Sequence, residues 1–299
     1  MFKKVKRKNK KNVSLVLSGG GARGIAHIGV IEELEKQGFI IKSISGTSMG
    51  ALVGGVYAVG KMQEYKNWMY KLDKLEVFKL LDFAFSSQGL VRGERVFNKM
   101  KGFIPDMNIE ELKINYAATA VDLISRKEIV FTKGSIFEAV RASVSIPTVF
   151  TPVELEDSLL VDGGVLNNIP ISNVKRTDGD ILIVVHVNAD VPVYKPFTST
   201  AEKESRHSIY REKIRILHSY LNKMNPMSHN DKFGYFNLIN RTLSLLIYQV
   251  AEMTLEKYSP DILINVSRDT CSIFDFYKAE ELVEIGRHAA IISLREYNN

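Results

Sequence analysis

The 299-residue sequence predicts an α/β fold in which helices flank a mostly parallel central sheet. Apolar, β-rich segments alternate with segments of helical periodicity, which is the order that produces strand–helix–strand units. The first unit joins a strand at 13–17 to a strand at 39–45 through a helix at about 25–37. The composition agrees with this class, because 45% hydrophobic and 25% charged residues are ordinary values for a globular domain.

The later elements follow from the same patterns. Further strands are predicted at 116–121, 128–131, 159–162, 180–187 and 261–266. The segment 128–131 is expected to pair antiparallel with 116–121, and 180–187 to be central because both of its faces are apolar. Helices are predicted after residue 48, over 135–143 and over 275–294.

The segment from about 192 to 258 changes character and is predicted to be a helical insert beside the sheet. A proline-containing loop opens it, and two long stretches with helically spaced Leu and Ile follow. Two interpretations fit this pattern, a structural helical layer or a lid over an apolar substrate.

Positive charge is concentrated at the N-terminus. Residues 1–12 hold seven Lys and Arg residues and no acid, whereas 13–299 carry 33 basic against 34 acidic residues. The sequence therefore predicts a basic disordered tail followed by one domain over 13–299. The tail fits a solvated terminus or a peripheral contact with anionic lipid. Nucleic acid is not an expected partner, because no basic groove with interleaved aromatic residues follows.

Other features narrow the class of protein. The single cysteine, Cys271, excludes an internal disulfide and a cysteine-based zinc site, and neither a metal nor an organic cofactor is expected. No apolar run reaches about 18 residues, so no transmembrane helix is expected. The apolar run 13–17 is too short for a secretory signal. A cytoplasmic location is predicted, with contact at the membrane surface as an open alternative.

The stretch Gly46-Thr47-Ser48-Met49-Gly50 predicts a sharp strand-to-helix turn that presents a nucleophilic serine. Gly46 and Gly50 stand where a side chain would clash in such a turn. Ser48 would lie at the N-terminus of the following helix, where the partial positive charge favours a developing anion.

A glycine-rich loop follows the first strand. Gly19, Gly20 and Gly21 would supply backbone N–H groups as an oxyanion hole, at the same sheet edge as the serine turn. Together with Gly24 they also match the dinucleotide fingerprint G-x-G-x-x-G. That fingerprint requires an acidic residue about 20 positions further on, and 43–46 contains none. Nucleotide binding is therefore not expected.

The identity of the general base separates a Ser-His-acid triad from a site that uses an aspartate. A Ser-His-acid triad needs a histidine in a loop at a strand end, but the six histidines fall in predicted helices, in the insert or in a buried strand. They are His27, His186, His207, His218, His229 and His288. Asp162 instead follows an apolar strand and precedes Gly163 and Gly164, which would place its carboxylate at the sheet edge that carries Ser48.

In order and approximate spacing, these three motifs resemble the signatures of the patatin-like phospholipases. The motifs span 19–24, 46–50 and 162–164, and the segment 143–150 is similar to the one that precedes the family's aspartate motif. The resemblance covers about 13–190. It implies a three-layer α/β/α fold and a Ser-Asp dyad without histidine that acts on lipid acyl esters.

The resemblance also implies roles for individual residues. Ser48 would be the nucleophile, Asp162 the base, and Gly19, Gly20 and Gly21 the oxyanion donors. Arg23 would stabilise the glycine loop or contact a phosphate.

The sequence thus predicts a lipid acyl hydrolase of the phospholipase A or lysophospholipase type, working through an acyl-enzyme. Two alternatives stay open: an acyltransferase on the same dyad, and a non-catalytic lipid-binding protein with a regulatory or membrane-docking role. The sequence does not specify the acyl chain, the head group, the positional preference or the oligomeric state.

Overall fold

The computed structural model describes residues 12–80, 82, 92–196 and 235–298. The strands within these ranges are β1 (Asn12–Leu17), β2 (Ile40–Thr47), β3 (Asn115–Asp122), β4 (Lys127–Phe131), β5 (Val153–Leu155), β6 (Ser158–Asp162), β7 (Ile181–Ala189) and β8 (Ile262–Ser267). The helices are α1 (Ala26–Lys36), α2 (Met49–Ala58), α3 (Met62–Lys71), α4 (Lys74–Leu80), α5 (Glu94–Lys101), α6 (Ile136–Ser143), α7 (Tyr235–Lys257) and α8 (Ala279–Asn298).

The strands form one mixed sheet in the order β5-β6-β3-β2-β1-β7-β8, with β4 also paired to β3. The run from β3 to β8 is parallel, whereas β4 and β6 lie antiparallel to β3. The predicted mostly parallel α/β fold and the antiparallel pairing of β3 with β4 are confirmed. The strand β7 is interior, as its apolar faces predict, but it lies next to the edge strand β8 and not at the middle of the sheet.

Two apolar clusters cover opposite faces of the sheet. In β1, Leu15 and Leu17 belong to the larger cluster with α1, α2, α6 and α8, whereas Val16 belongs to the smaller one. Since successive side chains of a strand point to opposite faces, the smaller cluster lies on the other side of the sheet. Ala251 of α7 packs there. Helices therefore flank the sheet on both sides, in three layers.

The predicted segment boundaries fall partly outside the described residues. Residues 1–11 of the basic tail lie outside them, and Asn12, which the sequence analysis assigned to the tail, is the first residue of β1. Residues 197–234 of the predicted insert also lie outside, while α7 occupies the second of its helical stretches. The limits of the insert stay a prediction.

In the part of the chain that the structure describes, none of the helices combines the length and the apolarity needed to cross a bilayer.

Candidate active site

A cavity of about 480 Å³ brings the three predicted motifs together at the carboxyl ends of β1 and β2. Gly19, Gly20 and Gly21, Ser48 and Asp162 all line it. Its volume lies in the range of cavities that enclose small organic ligands. Residues from distant parts of the sequence thus form one candidate site.

Ser48 has the strained backbone of a sharp strand-to-helix turn. Its φ of 54° and ψ of −124° lie in a region that residues with a β-carbon rarely adopt. The Ser48 N–H donates to Ser143 Oγ at 2.9 Å, and that hydroxyl donates to the carbonyl of Thr119 at 2.6 Å. These buried hydrogen bonds hold the turn in place immediately before the first residue of α2.

The two glycines of the serine turn are required by close backbone approaches. A β-carbon at Gly50 would overlap the carbonyl oxygen of Leu17, and one at Gly46 would lie 2.5 Å from the Ala51 nitrogen. The start of α2 therefore packs directly on the end of β1. This contact brings the serine turn next to the glycine loop.

The glycine loop lies against the serine. A β-carbon at Gly19 would be 3.1 Å from the β-carbon of Ser48 and 2.5 Å from Asn168 Oδ1. The Gly19 N–H already donates to the carbonyl of Asn168 at 3.1 Å. No described residue accepts a hydrogen bond from the N–H of Gly20 or Gly21. Of the three predicted oxyanion donors, Gly20 and Gly21 thus have an available N–H.

Arg23 joins the glycine loop to the ends of β7 and β8. Its Nε donates to Asn188 Oδ1 at 2.9 Å, and its Nη1 donates to the carbonyl of Cys271 at 3.0 Å. Asn188 in turn donates to the carbonyl of Gly19 at 2.7 Å. These contacts correspond to loop stabilisation, the first of the two roles considered for Arg23.

The remaining motif glycines lie at packed positions around the site. A β-carbon at Gly24 would meet the side chain of Met49, and one at Gly163 would meet the backbone of Thr119. Gly164 lines the cavity.

Asp162 is the last residue of β6 and is almost fully buried. Its N–H donates to the carbonyl of Ser145 at 2.9 Å, and its Oδ1 accepts from the Gly164 N–H at 2.7 Å. Its Oδ2 has no hydrogen-bond partner among the described residues. The carboxyl group is therefore oriented by one oxygen, and the other stays free.

The environment of Asp162 suits a proton acceptor. Burial raises its pKa to about 6 by disfavouring the charged form, while the Ser48 hydroxyl and the Gly164 N–H oppose that rise. Ser48 lies close enough to stabilise the carboxylate, although the two side chains do not meet with the geometry of a normal hydrogen bond. A pKa near 6 leaves the group charged at neutral pH and close to the value of an efficient general base.

Several supporting residues were missed by sequence reasoning. Asn167 links the site to β4, because its carbonyl accepts from Thr47 Oγ1 at 2.8 Å and its Nδ2 donates to Glu128 Oε1 at 2.9 Å. Ser143 and Asn168 hold the backbones of Ser48 and Gly19. The Asn167-Asn168 pair begins three residues after the aspartate motif, and this proximity is the one local signal that points to it.

None of the described histidines is hydrogen-bonded to Ser48 or Asp162, although one of them lines the cavity. His27 is buried, and its Nε2 contacts the Ser18 carbonyl at 2.9 Å, whereas His288 stacks on Tyr194 with ring centroids 3.6 Å apart. His186, which sequence analysis assigned to a buried strand, also lines the cavity, but no hydrogen bond joins it to Ser48 or Asp162. The remaining three, at positions 207, 218 and 229, lie outside the described residues.

The cavity has an apolar and a polar side. Among its apolar lining residues are Ile146, Pro147, Val149, Val165, Leu243 and Ile247, and among its polar ones are Asn168, His186, Asn188, Tyr248, Arg268 and Asp269. In the described ranges, no group of three or more His, Cys, Asp and Glu side chains is arranged to hold a metal ion.

The chain is similar to known proteins in sequence and in fold. The family model for patatin-like phospholipase matches residues 15–175. An uncharacterized NTE family protein of Mycobacterium tuberculosis is 30% identical to this chain over an alignment 339 residues long. The alignment covers 98% of this chain and 94% of the relative. Lysophospholipase NTE1 of Pyricularia oryzae is 26% identical over 92% of this chain but only 18% of its own length. The crystal structure of VipD from Legionella pneumophila has a TM-score of 0.50 at 15% identity, covering 97% of this chain and 67% of VipD, and shares its fold.

Proposed function

The chain belongs to the patatin-like phospholipase family, and we propose on that basis that it hydrolyses acyl esters of lipids with Ser48 and Asp162. The observation that carries the proposal is that both side chains line one cavity. Ser48 stands on a strained turn, and the buried carboxyl beside it has a raised pKa and a free oxygen. Strain and a shifted pKa at the same place are typical of a reactive site.

In the first step, the Ser48 hydroxyl attacks the ester carbonyl while Asp162 removes its proton. A new bond forms between Ser48 Oγ and the carbonyl carbon, and the carbonyl oxygen becomes an oxyanion. The free Oδ2 of Asp162 is the atom available to take the proton. Collapse of this intermediate releases the alcohol, which leaves with that proton and leaves the acyl group on Ser48.

The oxyanion is stabilised by the glycine loop. Gly20 and Gly21 line the same cavity as Ser48 and have available N–H groups, and the hydrogen bond from the Gly19 N–H to the Asn168 carbonyl fixes the loop that carries them. Such donors act on the charge as it develops, and each contributes about 3–4 kcal/mol in other hydrolases.

Water completes the cycle in a second displacement. Asp162 takes a proton from water, the resulting oxygen nucleophile attacks the acyl-serine, and the fatty acid leaves as Ser48 regains its proton. The apolar side of the cavity suits the acyl chain, and the similarity to a lysophospholipase supports phospholipids or lysophospholipids as substrates.

The basic tail adds a peripheral contact with anionic lipid, since seven Lys and Arg residues lie within its twelve positions. Deletion of residues 1–11 should weaken co-sedimentation with vesicles that contain phosphatidylglycerol. Turnover of a soluble short-chain ester should not change. Equal vesicle binding by both forms would show that the tail is only solvated.

The test of the proposed function is Ser48→Ala, assayed for fatty-acid release from a panel of phospholipids and lysophospholipids. We expect a loss of about 10⁴-fold or more, because the nucleophile is removed. Ser45→Ala is the matched control, since Ser45 is also buried near the site and its hydroxyl has no described partner. Its activity should stay within about threefold of wild type, as removing an unpaired group costs little.

The outcomes also separate the alternatives. Full activity of Ser48→Ala would refute the mechanism. Transfer of the acyl group to an added alcohol, at the expense of the free fatty acid, would identify an acyltransferase. If a fluorophosphonate probe does not label Ser48 and no ester is turned over, the protein is instead a lipid-binding module.

A further inference from the structure

The cavity contains a polar group that the proposed mechanism does not use. This group is not Asn188, whose side-chain amide already donates to the Gly19 carbonyl and accepts from Arg23. His186, two residues earlier on β7, also lines the cavity, and its Nε2 has no partner among the described residues.

A second unpaired group lies beside it on the neighbouring strand. The parallel register of β7 and β8 places His186 opposite Asn265. On β7, Leu182 and Val184 pack in the smaller cluster with α7, and on β8 Leu263 packs against the same cluster. His186 and Asn265 are the next residues of these two rows, so both side chains project from the α7 face of the sheet.

Both residues have a buried polar atom without a partner. These atoms are His186 Nε2 and Asn265 Oδ1. His186 is only 1% exposed, and burial lowers its pKa to about 4, so its ring is neutral at pH 7. A neutral imidazole has one N–H donor and one acceptor nitrogen. Because buried polar atoms are normally paired, two unpaired ones on adjacent strands indicate a ligand group that completes them.

We propose that His186 and Asn265 form a subsite for an uncharged hydroxyl group in the alcohol half of the ester, an inference that rests on the hydrolase function proposed above. The hydroxyl oxygen accepts from the Nε2–H of His186 and its hydrogen is donated to Asn265 Oδ1, so one group pairs both atoms. A fully ionised phosphate has no hydrogen to donate and would face the amide oxygen.

The position of the subsite assigns it to the alcohol half. Ile146, Pro147 and Val149 form an apolar wall in the segment whose Ser145 carbonyl holds Asp162, and this wall suits the acyl chain. His186 lies on β7, on the other side of β1 from β2, in a part of the sheet that also contributes the polar lining residues Asn188 and Arg268. An ester bound at Ser48 with its chain on the apolar wall directs its alcohol toward β7.

Two esters that share an acyl chain test this subsite. Glycerol monooleate and propyl oleate have alcohols of equal carbon number, and only the glycerol ester has free hydroxyl groups. We expect wild-type kcat/KM to favour the glycerol ester by at least about 10-fold. When propyl oleate binds, the buried polar atoms of His186 and Asn265 stay unpaired, and this weakens the binding of its transition state. His186→Phe and Asn265→Leu should each reduce this preference to within about threefold, mainly by lowering kcat/KM for the glycerol ester.

Two further variants separate recognition from structure. His186→Gln keeps a hydrogen-bond donor and should retain part of the preference. His27→Phe is the matched control, because His27 is also fully buried with an unpartnered ring nitrogen but does not line the cavity. It should change the rates for both esters by the same factor. If His186→Phe does not fold, as judged by circular dichroism, Asn265→Leu decides.

Each outcome supports or overturns the subsite. Equal wild-type kcat/KM for the two esters would mean that the pair binds only water. A preference that survives both His186→Phe and Asn265→Leu would place hydroxyl recognition elsewhere. If wild type releases fatty acid from neither ester nor from any phospholipid, the hydrolase proposal fails and the subsite fails with it.

Discussion

Two walls of the candidate active-site cavity are built in different ways. The catalytic wall, our name for the proposed catalytic groups Ser48, Gly19–Gly21 and Asp162, is tied by buried hydrogen bonds to α6 and to the turn after β6. The second wall, α7, packs through Ala251 and is further contacted by Arg268, which lies 5.3 Å over the ring of Tyr248.

The two walls also differ in how completely they are buried. Ser48 and Asp162 are almost inaccessible, whereas α7 exposes more than half of each of several apolar side chains. These are Leu238, Leu245, Leu246 and Met253. Chemistry requires fixed atoms, and a chain of variable length requires a wall that tolerates change. Substitutions in the catalytic wall should therefore affect rate, and substitutions in α7 should affect substrate range.

The largest effect is expected from Asp162→Asn. Asn keeps an acceptor for the Gly164 N–H but cannot remove the proton of Ser48, so kcat/KM should fall by about 10³-fold, within the usual range for a general base. In wild type, kcat/KM should decrease about tenfold per pH unit below pH 6, because burial raises the pKa of Asp162 to about 6. A profile that is flat down to pH 5 would contradict Asp162 as the base.

The same substitution should stabilise the protein. The pKa of Asp162 rises from 3.8 to about 6 on folding, so its contribution to stability is complete below pH 4 and is lost as pH rises through 6. At pH 8, Asp162→Asn should raise the free energy of unfolding by up to about 3 kcal/mol, the equivalent of two pKa units. At pH 4 the two proteins should unfold equally in urea. A gain of equal size at both pH values would point to packing instead of charge.

The contrast between the walls also explains what the sequence could predict. The serine turn and the glycine loop were recognisable because close backbone approaches, such as that of Gly50 to Leu17, require glycine at fixed local spacing. The hydrogen bond of the Gly19 N–H could not be recognised from the sequence. Its acceptor, the carbonyl of Asn168, is 149 residues away along the chain, and only the folded sheet brings it into place. The polar pair of His186 and Asn265 depends likewise on the β7–β8 register, which no local pattern shows.

A smaller effect is expected from Ser143→Ala, because Ser143 supports the catalytic wall through the Ser48 N–H. Removing this hydroxyl takes away the acceptor for the buried Ser48 N–H and one donor to the Thr119 carbonyl. The loss of one such partner costs about 1–3 kcal/mol, so the free energy of unfolding should fall by that amount and kcat by about 10-fold. Ser172→Ala, at an exposed hydroxyl bonded only to Asn173 among the described residues, is the control and should change neither. Unchanged kcat in Ser143→Ala would mean that the turn keeps its geometry without this bond.

The smallest effect on rate is expected from Ile247→Ala in α7, and it should depend on the substrate. Ile247 lines the cavity, so its truncation removes apolar contact with the distal part of a long acyl chain. Each buried methylene contributes about 0.8 kcal/mol, and the loss of about two should raise KM for an oleoyl ester roughly 10-fold. A butyryl ester has fewer methylenes to pack against α7, so its kinetics should change by less than about twofold. Leu246→Ala, at a neighbouring exposed position, should change neither ester. If both acyl lengths lose kcat equally in Ile247→Ala, α7 shapes the catalytic atoms as well, and the division between a fixed wall and an adaptable wall is wrong.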